Sequence, residues 1–239
     1  MRYSMAIIAK NLSKNYGKKQ VLHDISFEIP EQPTIVGLIG PNGVGKSTML
    51  RLLAGVLIPT DGEILNDKVK ETYYKWACVH STFVPSGERG LIYRLTTIEN
   101  LRYFASFKGI NLHKAEKVLR SLAESLDFSE LLDKKFQELS TGQKKKAAIL
   151  VGASLETSVL LLDEPSNGLD INAQDDLARF IVKLKDLYHK MIFVSSHDTQ
   201  MLSGVVNCYL FFKNGQIVKQ VNHHFSEEEL IRTYQNVYR

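Results

Sequence analysis

Residues Gly40-Pro41-Asn42-Gly43-Val44-Gly45-Lys46-Ser47-Thr48 satisfy the phosphate-binding pattern G-x-x-x-x-G-K-[ST] at every specified position. The residue types suit a triphosphate. Glycines let the backbone turn tightly and bring its N–H groups close to an anion. Lys46 supplies a mobile cation for β- and γ-phosphates, and the Ser47 hydroxyl is placed to ligate Mg²⁺. A second set of groups follows downstream. Asp163-Glu164 closes the apolar run Val159-Leu160-Leu161-Leu162, and the C-terminal end of a parallel strand is where ligands bind in α/β sheets. Asp163 is therefore a candidate to hold Mg²⁺ beside Ser47, and Glu164 a candidate to polarise an attacking water. Ser140 and Gln143 form an S-x-x-Q capping box, with Gly142 leaving the helix end open to a phosphate.

These groups need elements to position them. Thr34 to Ile39 reads as a buried strand entering the glycine-rich loop, and Met49 to Ala54 as a helix leaving it. Ala6 to Ala9 and Val21 to Ile29 read as strands, with a hairpin turn at Asn15-Tyr16-Gly17-Lys18-Lys19. Glu63 to Leu65 is a short strand after the turn Pro59-Thr60-Asp61-Gly62. Residues 71 to 85 are rich in aromatics and are expected to be extended. From Leu95 the pattern becomes helical: Thr96 or Thr97 caps one helix, and Val118, Leu119, Leu122 and Leu126 share one face of a second. The solid run at 159 to 163 reads as a central parallel strand. A long amphipathic helix is expected over about 171 to 189, a buried strand over 191 to 195, a hairpin over 208 to 221 around Asn214-Gly215, and a polar helix over 226 to 238. The expected fold is α/β, a phosphate-loop core on a parallel central sheet with an N-terminal antiparallel β part and a helical insertion. The expected division is a core of residues 1–87 and 140–239 and a helical subdomain of 88–139.

With 239 residues, 44% of them hydrophobic and 23% charged, the chain has the composition of a globular protein able to bury a sizeable core. A formal net charge of +4 suits an anionic nucleotide but is too small to argue for nucleic acid or a membrane surface. Cys78 and Cys208 lie far apart and form no C-x-x-C pair, so both are expected to be buried thiols in a reducing compartment. No stretch approaches the ~20 apolar residues that span a bilayer. The expected location is cytoplasmic. Lys144-Lys145-Lys146 reads as a basic, solvated helix face, and His223 and His224 as solvent-facing.

In their order along the chain these motifs resemble the nucleotide-binding subunit of an ABC (ATP-binding cassette) transporter, over residues 6 to 221. Residues 40–48 resemble the Walker A loop and 159–164 the Walker B strand with its catalytic glutamate. Residues Leu139-Ser140-Thr141-Gly142-Gln143 resemble the signature LSGGQ, with Thr141 in place of the first glycine. Ser166-Asn167-Gly168-Leu169-Asp170 resembles the D-loop, His197 the switch histidine that reaches the γ-phosphate, and Tyr16 the aromatic that stacks on adenine. The resemblance implies a single cassette that binds ATP and Mg²⁺. Its nucleotide contacts are then Tyr16, residues 40–48, Ser140, Thr141, Gly142, Gln143 and Asp170, with Lys46, Glu164 and His197 in catalysis.

One segment departs from that pattern. The family carries a metal-ligating glutamine after the strand that follows the phosphate-loop unit. Here that stretch reads Phe83-Val84-Pro85-Ser86-Gly87-Glu88-Arg89-Gly90-Leu91, without a glutamine. Ser86 aligns best, and Glu88 offers a hard oxygen suited to Mg²⁺, so either is a candidate metal ligand. The resemblance further implies a second ATP-binding subunit, a homodimer with the two chains head to tail, and integral membrane permease subunits. The chain itself would sit on the inner face of the membrane through those permeases, with no nucleic-acid partner. Residues 90–96 resemble cassettes that often serve exporters. The alternative is a soluble ABC ATPase without a transport role, a class that usually carries paired cassettes or a long coiled-coil insertion, neither of which is visible in this sequence.

Overall fold

The protein is described by a computed structural model covering residues 6–30, 34–66, 69, 71–87, 90–197 and 199–239. Two sheets form its frame. The smaller is antiparallel, in the order β2 (Lys19–Ile29), β1 (Ile7–Tyr16), β4 (Asp61–Asn66). The larger has six strands in the order β5 (Ser81–Val84), β6 (Val159–Asp163), β7 (Met191–Ser196), β3 (Ile35–Ile39), β8 (Cys208–Lys213), β9 (Gln216–Val221). All neighbouring pairs in it are parallel except the β8–β9 hairpin.

Alternation along the strands explains why the central ones are apolar throughout. On β6, Val159 and Leu161 pack on one face with α1 (Lys46–Leu53), α2 (Tyr73–His80) and the small sheet. Leu160 and Leu162 pack on the other face with the helices α3 (Thr97–Phe107), α4 (Leu112–Ser125), α5 (Thr141–Ser154) and α6 (Ile171–Tyr188). Side chains at successive strand positions point to opposite faces. A strand covered on both sides must therefore be hydrophobic at every position, each fully buried Leu or Val contributing about 1.5–3 kcal/mol. Two further helices complete the chain, α7 (Thr199–Leu202) and α8 (Glu227–Tyr238).

The register sets the site. Asp163 pairs with Ser195 across β6–β7, and Ile39 pairs with Ser196 across β3–β7. The exit of β3 into the glycine-rich loop, the carboxylate ending β6 and the serines ending β7 thus share one edge of the sheet.

Three sequence expectations are corrected by the structure. Residues 71–85 are not extended throughout: Tyr73–His80 is helical and only Ser81–Val84 is strand. The buried residues of that helix, Tyr73, Trp76 and Ala77, have i, i+3, i+4 spacing. The Tyr73 hydroxyl donates to Leu53 O at 2.8 Å, tying the helix to the end of α1. Cys78 is exposed, while Cys208 is buried. Lys145 is buried rather than solvated, because α5 turns that side toward the sheet. Elsewhere differences are of length: β1 runs on to Tyr16, with register shifts that let it stay paired with both neighbours. His223 and His224 are both exposed, and His224 Nδ1 lies 3.1 Å from Val206 O.

Candidate functional site

The loop after β3 is pressed against its surroundings. At Gly45, φ is +107°, and a Cβ there would meet Leu22 Cδ2 at 2.5 Å and Val21 O at 3.2 Å. Only glycine combines that backbone conformation with that closeness to β2. At Gly40 a Cβ would meet Phe212 O at 2.6 Å, so the loop is equally close to β8. Gly45 is also the N-cap of α1, and no side chain caps that helix end. Its first backbone N–H groups are left for an external acceptor, and the helix dipole favours an anion there.

Lys46 opens α1 and is 5% exposed. Its Nζ donates to Gly40 O at 2.6 Å and to Pro41 O at 3.2 Å, and lies 3.1 Å from Glu164 Oε1. An ammonium has three donors; the two carbonyls take two of them, and the Glu164 carboxylate adds an ion pair without a hydrogen bond. The hydroxyl of Ser47 donates to Asp163 Oδ1 at 2.8 Å. Ser195 Oγ donates to the same oxygen at 2.7 Å and accepts from the Glu164 N–H at 2.9 Å. Glu164 itself has φ +47°, which turns its side chain out of the strand direction at the end of β6. Its Oε2 lies 2.8 Å from His197 Nδ1. Against an ionised carboxylate, which only accepts, that Nδ1 carries the proton.

Of the residues singled out in the sequence, Gly40, Pro41, Lys46, Ser47, Asp163, Glu164 and His197 thus meet in one bonded network. Ser86 is exposed, and with Gly87 and Lys145 it lines a small cavity that also touches Asp163 and Glu164. Glu88, the other candidate ligand, lies outside the described residues. Tyr16 ends β1, 44% exposed, with Lys14 Nζ 5.5 Å from its ring centre. The capping box of α5 is formed as its spacing predicts: Gln143 N–H donates to Ser140 Oγ at 3.3 Å, and Ser140 N–H to Gln143 Oε1 at 3.1 Å. The Gln143 amide also donates to Glu130 Oε1 at 3.3 Å. Thr141 is exposed beside it. Asp170 caps α6 by accepting from Ala173 N–H at 2.8 Å.

Two participants escape a reading of the sequence. Ser195 bridges Asp163 and the Glu164 backbone, and its signal is a polar residue at the end of an otherwise apolar strand. Lys145 is buried next to Glu164, and nothing in a run of three lysines marks its middle member.

Ser47 Oγ and Asp163 Oδ1 converge as hard oxygen donors, a set that fits Mg²⁺. Among the described residues no group of three or more His, Cys, Asp or Glu side chains forms a metal cage. Mg²⁺ is usually held by one or two protein oxygens plus phosphate and water. Chemically, the network can bind a phosphate chain at the head of α1, hold a divalent cation at its flank, and present a carboxylate to a water.

Comparison with known proteins agrees with this chemistry. Residues 22–167 match the family described as ABC transporter. The chain is 31% identical over 207 residues to the ABC transporter ATP-binding protein NatA of Bacillus subtilis, covering 84% of this chain and 82% of that protein. It superposes on the ATP-binding subunit of an ABC transporter with a TM-score of 0.80 and 24% identity, covering 96% of this chain and 99% of that one. A dimeric bacterial ABC transporter cassette gives a TM-score of 0.75 and 24% identity, over 90% and 98% of the two chains.

Proposed function

This chain belongs to the ABC transporter family, and from that membership we propose that it is the Mg²⁺-dependent ATPase subunit of a transporter, working as a head-to-tail pair beneath separate membrane subunits. The observation that carries the reading is the network joining Lys46, Glu164, His197, Ser47, Asp163 and Ser195. A cation for phosphate, two oxygens suited to a divalent cation and a carboxylate for water lie within hydrogen-bonding or ion-pairing reach of one another.

ATP binds with its phosphates on the backbone of residues 40–48 and its adenine on Tyr16. Lys46 turns to the β- and γ-phosphates. Ser47 and Asp163 would hold Mg²⁺, which when bound would supply positive charge against the phosphates. Glu164 takes a proton from the water that attacks the γ-phosphorus, and ADP leaves. His197, half-exposed, donates to the γ-phosphate. Of the two substitute ligands, Ser86 lines the cavity beside Asp163 and Glu164.

At the capped end of α5, Ser140 and Gln143 bond each other and the Gln143 amide donates to Glu130. The sequence carries one phosphate loop and one LSGGQ-like signature, so a site closed on both sides takes two chains. Ser140, Thr141, Gly142, Gln143 and Asp170 then face the nucleotide of the partner. One solved structure of the same fold is described as dimeric. Among the described residues no helix is long and apolar enough to cross a membrane; in the proposed transporter, separate permease subunits form the membrane passage and this chain sits on their cytoplasmic side. Residues 88–139 are taken as the helical unit of the cassette. We favour export, from the likeness of residues 90–96 to cassettes that often serve exporters. Co-purification with a multi-span membrane protein, together with Mg²⁺-dependent ATP turnover, tests the reading; a chain that binds ATP yet associates with no membrane protein would move it to the soluble ABC ATPases.

A further inference from the structure

Lys145 lies in the second turn of α5 and is only 8% exposed. Its side chain lines the cavity shared by Ser86, Gly87, Asp163 and Glu164. Among the described residues its ammonium has no hydrogen bond and no close ion pair. Burial draws its pKa below the usual lysine range, and the charge of Glu164 opposes that fall. Lysine is seldom this buried unless paired, and among the described residues the charge that acts on it is that of Glu164.

The complementary deficit is on Glu164. Its Oε1 is buried and accepts no hydrogen bond. Lys46 Nζ stands 3.1 Å away, near enough for an ion pair but out of line for a hydrogen bond. A phosphate that takes up Lys46 removes even that contact. Oε1 would then be a buried, charged oxygen with no counter-charge, a costly arrangement. The cavity joins this oxygen's side chain to the one described ammonium beside it without a partner.

We propose that Lys145 is a positioning residue for the hydrolysis read above: it takes the Glu164 carboxylate when Lys46 turns to the phosphates, and holds it at the edge of the site while His197 engages the γ-phosphate. The proposal rests on the reading of this site as an ATPase. It assigns to the helix behind the capping box a second task, a contact with the catalytic edge of its own chain. Movement of α5 would then alter where Glu164 sits.

The test uses the full chain with Lys145→Met and Lys145→Arg beside the wild type. ATP affinity in the presence of Mg²⁺, turnover and thermal stability are measured on each. The proposal expects Lys145→Met to bind ATP within about twofold of wild type while kcat falls about 10–100-fold, the range seen when a group that orients a site residue is removed. Lys145→Arg should recover most of that loss, since it restores the charge. Wild-type kcat in Lys145→Met would overturn the proposal. So would a parallel fall of affinity, turnover and stability that arginine does not recover, which is the mark of a merely structural residue. A wild-type chain that fails to bind ATP would instead refute the ATPase reading, and the proposal with it.

Discussion

Lys46 Nζ lies 3.1 Å from Glu164 Oε1 and completes its coordination with Gly40 O and Pro41 O. On the proposed reading, the cation that would meet phosphate is therefore engaged with the carboxylate that would meet water. Each holds the other in place, and a nucleotide must separate them. Replacing Lys46 by methionine keeps the length of the side chain and removes the charge. A charge-assisted hydrogen bond contributes about 1.5–3 kcal/mol, so the Kd for ATP should rise about 10- to 100-fold. The same change leaves Glu164 without its cation, and thermal stability should fall. Adding Glu164→Gln to Lys46→Met should restore stability but not binding. Calorimetric titration with ATP and thermal melts of the single and double variants check both halves.

Ser195 connects the two acids. Its hydroxyl donates to Asp163 and accepts from the Glu164 backbone, so a Ser195→Ala variant loses two bonds at once. The partly buried Glu164 N–H would lack its acceptor, at a cost of up to about 1–3 kcal/mol. Asp163 would also lose one of the two donors that orient Oδ1. Activity measured against Mg²⁺ concentration should show a higher requirement for the metal, and Ser195→Thr, which keeps the hydroxyl, should stay near wild type. An unchanged Mg²⁺ dependence in the alanine variant would remove Ser195 from the site.

Lys190 offers a test of the fold by pH. Its ammonium is buried and donates to Leu155 O at 3.1 Å and Thr157 O at 2.6 Å, yet burial lowers its pKa to about 8. In the unfolded chain a lysine titrates near 10.4. Between those values the unfolded state binds more protons than the folded one, so this group's contribution to stability rises with pH. Below about pH 8 the penalty of the buried charge is present in full; it is relieved as pH rises toward 10.4. Cys208 acts in the opposite sense at higher pH, because burial raises its pKa to about 11. The difference between wild type and Lys190→Met isolates the lysine. Denaturant unfolding from pH 7 to 10 should show wild type gaining on the variant above pH 8, by at most about 1.4 kcal/mol per pH unit.

The parts of the site legible in the sequence are those whose chemistry is written in adjacent residues. The spacing of Gly40, Gly45, Lys46 and Ser47 specifies a loop between a strand and a helix, and the structure has β3 and α1 on its two sides. The apolar run before Asp163 announces a strand covered on both faces, as β6 is. What adjacency does not contain is register. Ser195 matters because β6 and β7 pair so that it stands opposite Asp163, a relation between residues far apart in the chain.

Two misreadings have a similar cause. Aromatic residues at 73, 74 and 76 favour strand by propensity, but the packing of Tyr73, Trp76 and Ala77 into one buried face makes the segment helical. Three consecutive lysines suggest solvent, but consecutive helix positions point about 100° apart. Lys145 faces inward while Lys144 and Lys146 remain partly exposed. Lys146 extends to Asp176 at 3.7 Å and over the ring of Phe128 at 4.3 Å.

The central claim is that ATP closes two copies of this chain around shared sites and that Glu164 reopens them by hydrolysis. Glu164→Gln keeps the shape of the side chain and removes the base, which should lower turnover about 10²–10⁴-fold. The direct measurement is the mass of this variant in solution by light scattering, with Mg²⁺ and either ATP or ADP. The account predicts twice the 27.1 kDa mass of one chain with ATP and the single-chain mass with ADP. A Glu164→Gln protein that stays at the mass of one chain with ATP bound, or that hydrolyses ATP at the wild-type rate, would contradict it.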